Sequence, residues 1–179
     1  MRFSCWRPLV LLAALAMFPT AQAAEPGGAL LTATFRDWFV YRAGEGSELN
    51  CFALSKPRSS DPGNVERGEI AFLISSWPAR NKQHEPSIVS GYAYREGPDS
   101  AVRVQIGGDQ FEFALIRNDG EAGGAWMEEV AQEGRLITAM KGGANMTVTG
   151  TSADGTLTRD TYSLAGITAA LDNIEANCN

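Results

Sequence analysis

The stretch NMTVTGTSADGTLTRDTYSL, from Asn145 to Leu164, constrains the fold more than any other part of the chain. Apolar and polar residues alternate on both sides of Asp154-Gly155, a dipeptide that favours the positive backbone angles of a tight hairpin turn. Alternation with a period of two belongs to a strand with one face in a core and one in water. A helix would scatter those apolar residues around its circumference. This segment predicts a β-hairpin, and a hairpin needs further strands to be stable.

The rest of the chain supplies them in shorter pieces. TFRDWFVYR (34–42) places Trp38 and Val40 on one face, with Phe39 and Tyr41 on the other. LNCFALS (49–55) turns Leu49, Cys51 and Ala53 to a common side. EIAFLISS (69–76) is almost continuously apolar, which predicts a central strand buried on both faces. SIVSGYAY (87–94) reads as the next strand, and AVRVQI and QFEFALI flank a Gly107-Gly108-Asp109 turn. KPRSSDPGNVERG (56–68) is rich in Pro, Gly and Ser and reads as an exposed loop. About seven or eight short strands predict a mainly β domain built as a sandwich of two antiparallel sheets. Two helices complete it. The first covers Glu128 to Met140, with acids at its start and Lys141-Gly142-Gly143 at its end. The second, GITAALDNIEANC (166–178), repeats Ile167, Leu171, Ile174 and Cys178 at helical spacing, a stripe that faces the core.

The N-terminal residues follow different rules. Arg2 and Arg7 precede the apolar run LVLLAALAMF, and Ala21-Gln22-Ala23 supplies small residues at the spacing a signal peptidase reads. Ten apolar residues fall short of the roughly twenty needed to span a bilayer. Residues 1–23 therefore read as a secretory signal, with cleavage after Ala23 or Ala24. Residues 24–33 read as a flexible lead-in and 34–179 as one domain. Losing Arg2 and Arg7 takes the formal charge from −6 to −8. An acidic chain without a basic cluster argues against nucleic acid or an anionic membrane as partner. No transmembrane segment is expected after the signal.

Cys5 leaves with the signal, so Cys51 and Cys178 remain. In an oxidising compartment an even count favours pairing. The alternative is two buried thiols. A bridge enclosing most of the domain is worth about 4–5 kcal/mol of loop entropy before native strain is counted.

Reactive chemistry is harder to find. SSWPARNKQHEPSIVSGY (75–92) holds His84, the one histidine, between Pro78 and Pro86. A metal site needs several converging donors, and a Ser-His-acid arrangement needs a positioned nucleophile. Neither accompanies His84, so the segment reads as a solvated connector. GEAGGAW and KGGAN lack the phosphate-loop spacing. Glu128 and Glu129, adjacent on a helix, point in different directions. Asn145-Met146-Thr147 matches a glycosylation tripeptide that occurs often by chance. Trp38, Trp77 and Trp126 are expected to pack in the core or anchor strands. No catalytic residue, metal ligand or cofactor is predicted.

Together, FRDWFVY, CFALSKP, SSWPAR…EPSIVSGY and ITAMKGGANMTVTGTSADGTLTRDTYSLAGITAAL resemble the invasion-associated locus B family of exported bacterial proteins. The most specific parts are Asp37-Trp38 before a strand, and the ordered block holding Gly142, Gly155, Ser163, Leu164 and Gly166. The resemblance implies an immunoglobulin-like β-sandwich in the periplasm or at the outer membrane, linked in some pathogens to host-cell entry. It carries no catalytic set. It also implies a further cysteine two residues after the Val of D-W-x-V, where this chain has Arg42. The expected function is therefore a non-enzymatic binding protein with an unknown protein or envelope partner, tested first at Lys56–Gly68 and Trp77–Pro86. A purely structural envelope protein and an exported hydrolase are the alternatives.

Overall fold

A computed structural model describes residues 28–97, 100–116 and 123–178. The signal segment expected at 1–23 lies outside the described residues. Eleven strands and two helices follow in chain order: β1 (Leu30–Phe35), β2 (Trp38–Ala43), β3 (Asn50–Ser55), β4 (Ser59–Asp61), β5 (Ala71–Trp77), β6 (Lys82–Val89), β7 (Val102–Ile106), β8 (Asp109–Ile116), β9 (Gly124–Trp126), α1 (Val130–Gly142), β10 (Asn145–Thr151), β11 (Leu157–Ser163) and α2 (Ile167–Asn177). Every pairing is antiparallel, in the order β1-β2-β3-β5-β6-β9-β8-β7-β10-β11-β4. The mainly antiparallel β architecture expected from the alternation is the one observed.

The two layers are halves of one continuous sheet rather than separate sheets. Strand β8 makes the join: Asp109–Phe113 pair with β7, and Ala114–Ile116 pair with β9. Folding the sheet over brings distant strands together. The ring of Phe72 on β5 meets Phe113 of β8 at 6.0 Å, Tyr162 of β11 at 6.1 Å and Trp38 of β2 at 6.4 Å, all edge to face. Trp38, Phe72 and Tyr162 are fully buried, and aromatic pairs in this geometry add to the burial of their apolar area.

Local sequence explains most of the elements. Gly107 takes a left-handed backbone at φ 56°, which lets Ile106 pair directly with Asp109 across a two-residue turn. At the Asp154-Gly155 turn, the Asp154 carboxylate accepts the Ser152 hydroxyl and the Thr156 amide. These bonds hold its pKa below the usual carboxylate value, the Ser152 contact contributing most. Helix α2 buries Ile167, Leu171 and Ile174, and Cys178 bonds to Cys51 with 6.0 Å between the α-carbons.

Five expectations need correction. The lead-in assigned to 24–33 overlaps a strand, because β1 begins at Leu30 and hairpins with β2 through Arg36-Asp37. The loop assigned to 56–68 contains β4, which pairs with β11, and it ends at a buried arginine. The connector assigned within 75–92 is largely β6, which starts at Lys82. β9 pairs with β6 only at Ser87–Val89, so the Lys82–Pro86 half has one strand neighbour and tolerates a proline. Strand β5 buries Phe72, Ile74 and Ser76 on its inner face, while Leu73 and Ser75 on the outer face are half-buried. Trp126 is 43 % exposed rather than packed, because β9 turns Ala125 inward instead.

Candidate functional site

Five of the residues singled out by motif converge on one corner. The β1–β2 turn meets the β11–α2 connection there: the Trp38 indole N–H donates to the Ser163 carbonyl at 3.1 Å, and the Asp37 amide donates to the Ala165 carbonyl at 3.4 Å. The Asp37 carboxylate accepts Arg58 Nη2 at 2.7 Å. Its pKa is lowered, first by a hydrogen bond from Ser163 and then by Arg58. Leu164 is buried. Gly166 caps α2 in a left-handed conformation at φ 101°, where an added β-carbon would fall 1.9 Å from the Phe35 carbonyl oxygen. Only glycine fits there. Gly142 and Gly155 lie elsewhere. Nothing crowds Gly142. The close-packed glycine of that pair is Gly143, whose β-carbon would sit 2.7 Å from Ile106 and 2.9 Å from Leu164.

A second polar centre lies beneath the loop that follows β4. Arg67 and Asp160 form a bidentate ion pair with side chains 3 % and 6 % exposed. The guanidinium also stacks on Tyr92, 5.4 Å from its centroid, and the Tyr92 hydroxyl shares a 2.6 Å hydrogen bond with Thr158. Burial raises the pKa of Tyr92, Tyr94 and Tyr162, so all three stay neutral near pH 7. Sequence reading missed this pair because composition alone made the 56–68 segment look solvated. Its only signal was an Arg that ends a Pro- and Gly-rich run. The pair ties β11 to the approach to β5, and charges so enclosed are structural ties before they are reactive groups.

The end of the molecule that carries Trp77 to His84 is built differently. Pro78–Arg80 form a short 3-10 turn between β5 and β6 and pack against a matching turn at Gly46–Glu48. The Arg80 guanidinium lies 4.5 Å from the centre of the Trp77 ring and 3.9 Å from the Glu48 carboxylate. Asn81 and His84 both take left-handed backbones, at φ 51° and 59°, where the β5–β6 register slips between Ser75 and Trp77. Non-glycine residues held in that region are strained.

His84 is not a solvated linker residue. It is half-buried against α2, with Nε2 3.2 Å from Glu175 Oε1 but outside hydrogen-bonding geometry. Burial lowers its pKa below the ordinary histidine value; Glu175 opposes the shift and Lys141 adds to it. The imidazole is therefore neutral near pH 7. Beside it, Lys82 bridges Glu85 at 2.5 Å and lies 4.0 Å from Glu133 on α1. Glu133 is nearly buried, and burial raises its pKa, with Lys82 opposing. A cavity of about 190 Å³ opens beside Lys82, Glu175 and Cys178. A wider groove of about 590 Å³ is bordered by Glu96, Glu112, Glu128 and Glu129, with Glu112 already paired to Arg103. Among the described residues no group of His, Cys, Asp and Glu is arranged to hold a metal, and no helix is long and apolar enough to cross a membrane.

A folded antiparallel sheet closed by one disulfide defines a stapled β module. The family model described as Invasion associated locus B (IalB) protein matches residues 43–175, and the chain belongs to that family. The chain also resembles the crystal structure of invasion associated protein B from Bartonella henselae, with a TM-score of 0.55 and 15 % identity, over 82 % of this chain and 96 % of that one. At that identity the likeness is one of fold. No curated protein matches. Asp37 and Trp38 precede the matched residues, so their place in the motif corner rests on geometry.

Proposed function

We propose that this is an exported, non-enzymatic envelope protein that captures a protein partner through the end carrying Trp77 and Arg80. The observation that carries the reading is the cation–π pair itself, an aromatic ring and a guanidinium 4.5 Å apart, presented at a turn held by strained backbone. Trp and Arg are the side chains most often found to dominate binding energy at interfaces. Export is supported by the basic-apolar-small start of the sequence and by the disulfide, a bond that persists in oxidising compartments. Residues 1–23 act as the signal, and the domain that begins with β1 at Leu30 has Cys51–Cys178 as its staple. The protein takes no cofactor. Its place is the periplasm or the outer membrane, and a part in host-cell entry extends the reading from the Bartonella protein, which is named as invasion associated.

Two measurements test this. N-terminal sequencing of protein from the periplasmic fraction should begin at Ala24 or Glu25; intact protein found only in the cytosol overturns export. In-cell crosslinking followed by mass spectrometry should recover a partner with the wild-type chain and lose it with Trp77→Ala/Arg80→Ala. Equal recovery with that variant, with the fold intact, removes the proposed surface.

A further inference from the structure

A different groove, on the other side of the disulfide, has the makings of a ligand site. It lies between α2 and strands β1 to β3 and encloses about 380 Å³. Val40, Ile174 and the Cys51–Cys178 bridge form its apolar floor, and Arg42, Asn173 and Asn177 line it as polar groups. That volume is at the small end of the range for small-molecule sites, about 300–1,000 Å³.

Arg42 gives the groove its character. It is the one charged residue of the lining, and it is half-buried. Among the described residues no carboxylate lies within ion-pairing distance of it; Arg36, Arg95 and Arg159 also lack one but are exposed, whereas Arg58, Arg67, Arg80, Arg103 and Arg135 are paired. In a chain of formal charge −6, a sheltered guanidinium with no carboxylate partner among the described residues is a place for an anion to enter. A guanidinium presents donors in a planar fork that matches a carboxylate with two parallel hydrogen bonds. The Asn173 side chain, half-buried on α2, sits across the groove to hydrogen-bond the body of such a ligand. Asn177 already donates to the Asn173 carbonyl at 2.9 Å, which fixes its amide at the rim.

We propose that the Arg42 groove binds a small ligand, or the end of a chain, through a carboxylate held by Arg42 and Asn173. Two sources share that chemistry: the free C-terminus of a peptide and the carboxylate of a uronic acid sugar. The inference is independent of the Trp77–Arg80 surface.

A competing role for Arg42 is local. Helix α2 has no basic residue in its last turn, and a nearby guanidinium stabilises the negative end of a helix. The experiment separates the two. Mature, disulfide-bonded protein is titrated with N-acetyl-Ala-Ala and its C-terminal amide, and with glucuronate and glucose, while the Arg42 Nε–H and Asn173 side-chain amide signals are followed by NMR. One of the acids should shift both signals saturably, and its neutral counterpart should not; the acid that binds tighter names the source. Arg42→Gln should weaken that binding at least about tenfold, the scale of one lost charge-assisted contact, and Asn173→Ala should weaken it less. The proposal is overturned if acids and neutral probes behave alike, or if no acid saturates at millimolar concentration. It is also overturned if Arg42→Gln lowers the melting temperature while leaving acid binding unchanged, which assigns Arg42 to the helix end.

Discussion

The motif corner and the Trp77–His84 end use similar residue types for opposite purposes. Both hold a tryptophan and an arginine–carboxylate pair, and both sit where a turn meets α2. At the corner the indole is fully buried and donates to a backbone carbonyl, so its whole surface contributes to stability. At the other end Trp77 is only partly buried and stacks on Arg80. The backbone does not divide the two places in that way: the corner holds Gly166, which adopts a left-handed conformation without penalty, and also Arg36 at φ 56°, while the other end holds Asn81 and His84 in the same region. The lesson is that a motif can be conspicuous in sequence because packing demands it, and that the same residue types elsewhere can be left partly exposed.

Substitutions can break this contrast, beginning with the largest effect. Trp38→Ala should cost about 3–5 kcal/mol, the usual range for an emptied aromatic core site, read as a fall in the denaturant midpoint. Replacing both cysteines, Cys51→Ala/Cys178→Ala, should cost about 2–5 kcal/mol, and hydrogen exchange should show α2 fraying first. Gly166→Ala combines a left-handed backbone with a clash against the Phe35 carbonyl and should cost about 1–3 kcal/mol or more. A smaller aromatic loss is expected at the other end: Trp77→Ala should cost about 1–3 kcal/mol, since its ring is partly buried and adds a cation–π pair with Arg80. A Trp77→Ala loss equal to that of Trp38→Ala would abolish the distinction.

The pH dependence sharpens it further. The folded-state pKa of His84 is depressed, so the unfolded chain binds this proton more readily. Stability from the neutral imidazole is fully present above the ordinary value of 6.5 and is lost as pH falls through the lower folded value. Glu133 works the other way, because its raised pKa makes the folded state gain stability as pH falls through that value. His84→Gln should therefore remove the acid-side loss below pH 6.5 and leave the Glu133 gain. Parallel stability curves for wild type and variant between pH 5 and about 7 would show that His84 is solvated after all.

Much of the fold was legible in residue pattern. Two-residue alternation around Asp154-Gly155 yields the β10–β11 hairpin with its register, since a slip of one residue would turn Met146, Val148 and Tyr162 to solvent. Helical spacing yields α2 and delivers Cys178 to the core. The functional surfaces were less legible. Trp38 opens its strand while Trp77 and Trp126 end theirs, and their different burial depends on which strand lies opposite. His84 was misjudged because its flanking prolines suggested a loop, and nothing nearby in sequence announces Glu175 or Lys141.

By itself, the amino-acid order marked the β10–β11 hairpin, β2, β3, β7, β8 and α2 with the apolar face of each, but not β1, β4, the start of β6 or β9. Only the tertiary structure decided that the layers are one sheet folded through β8. It also decided that Arg67 is buried on Asp160 and that Arg42 has no carboxylate partner among the described residues. The physical reason is range: hydrophobic periodicity acts between neighbours along the chain, whereas a charge's environment is set by residues that may lie more than ninety positions away, as Asp160 lies from Arg67.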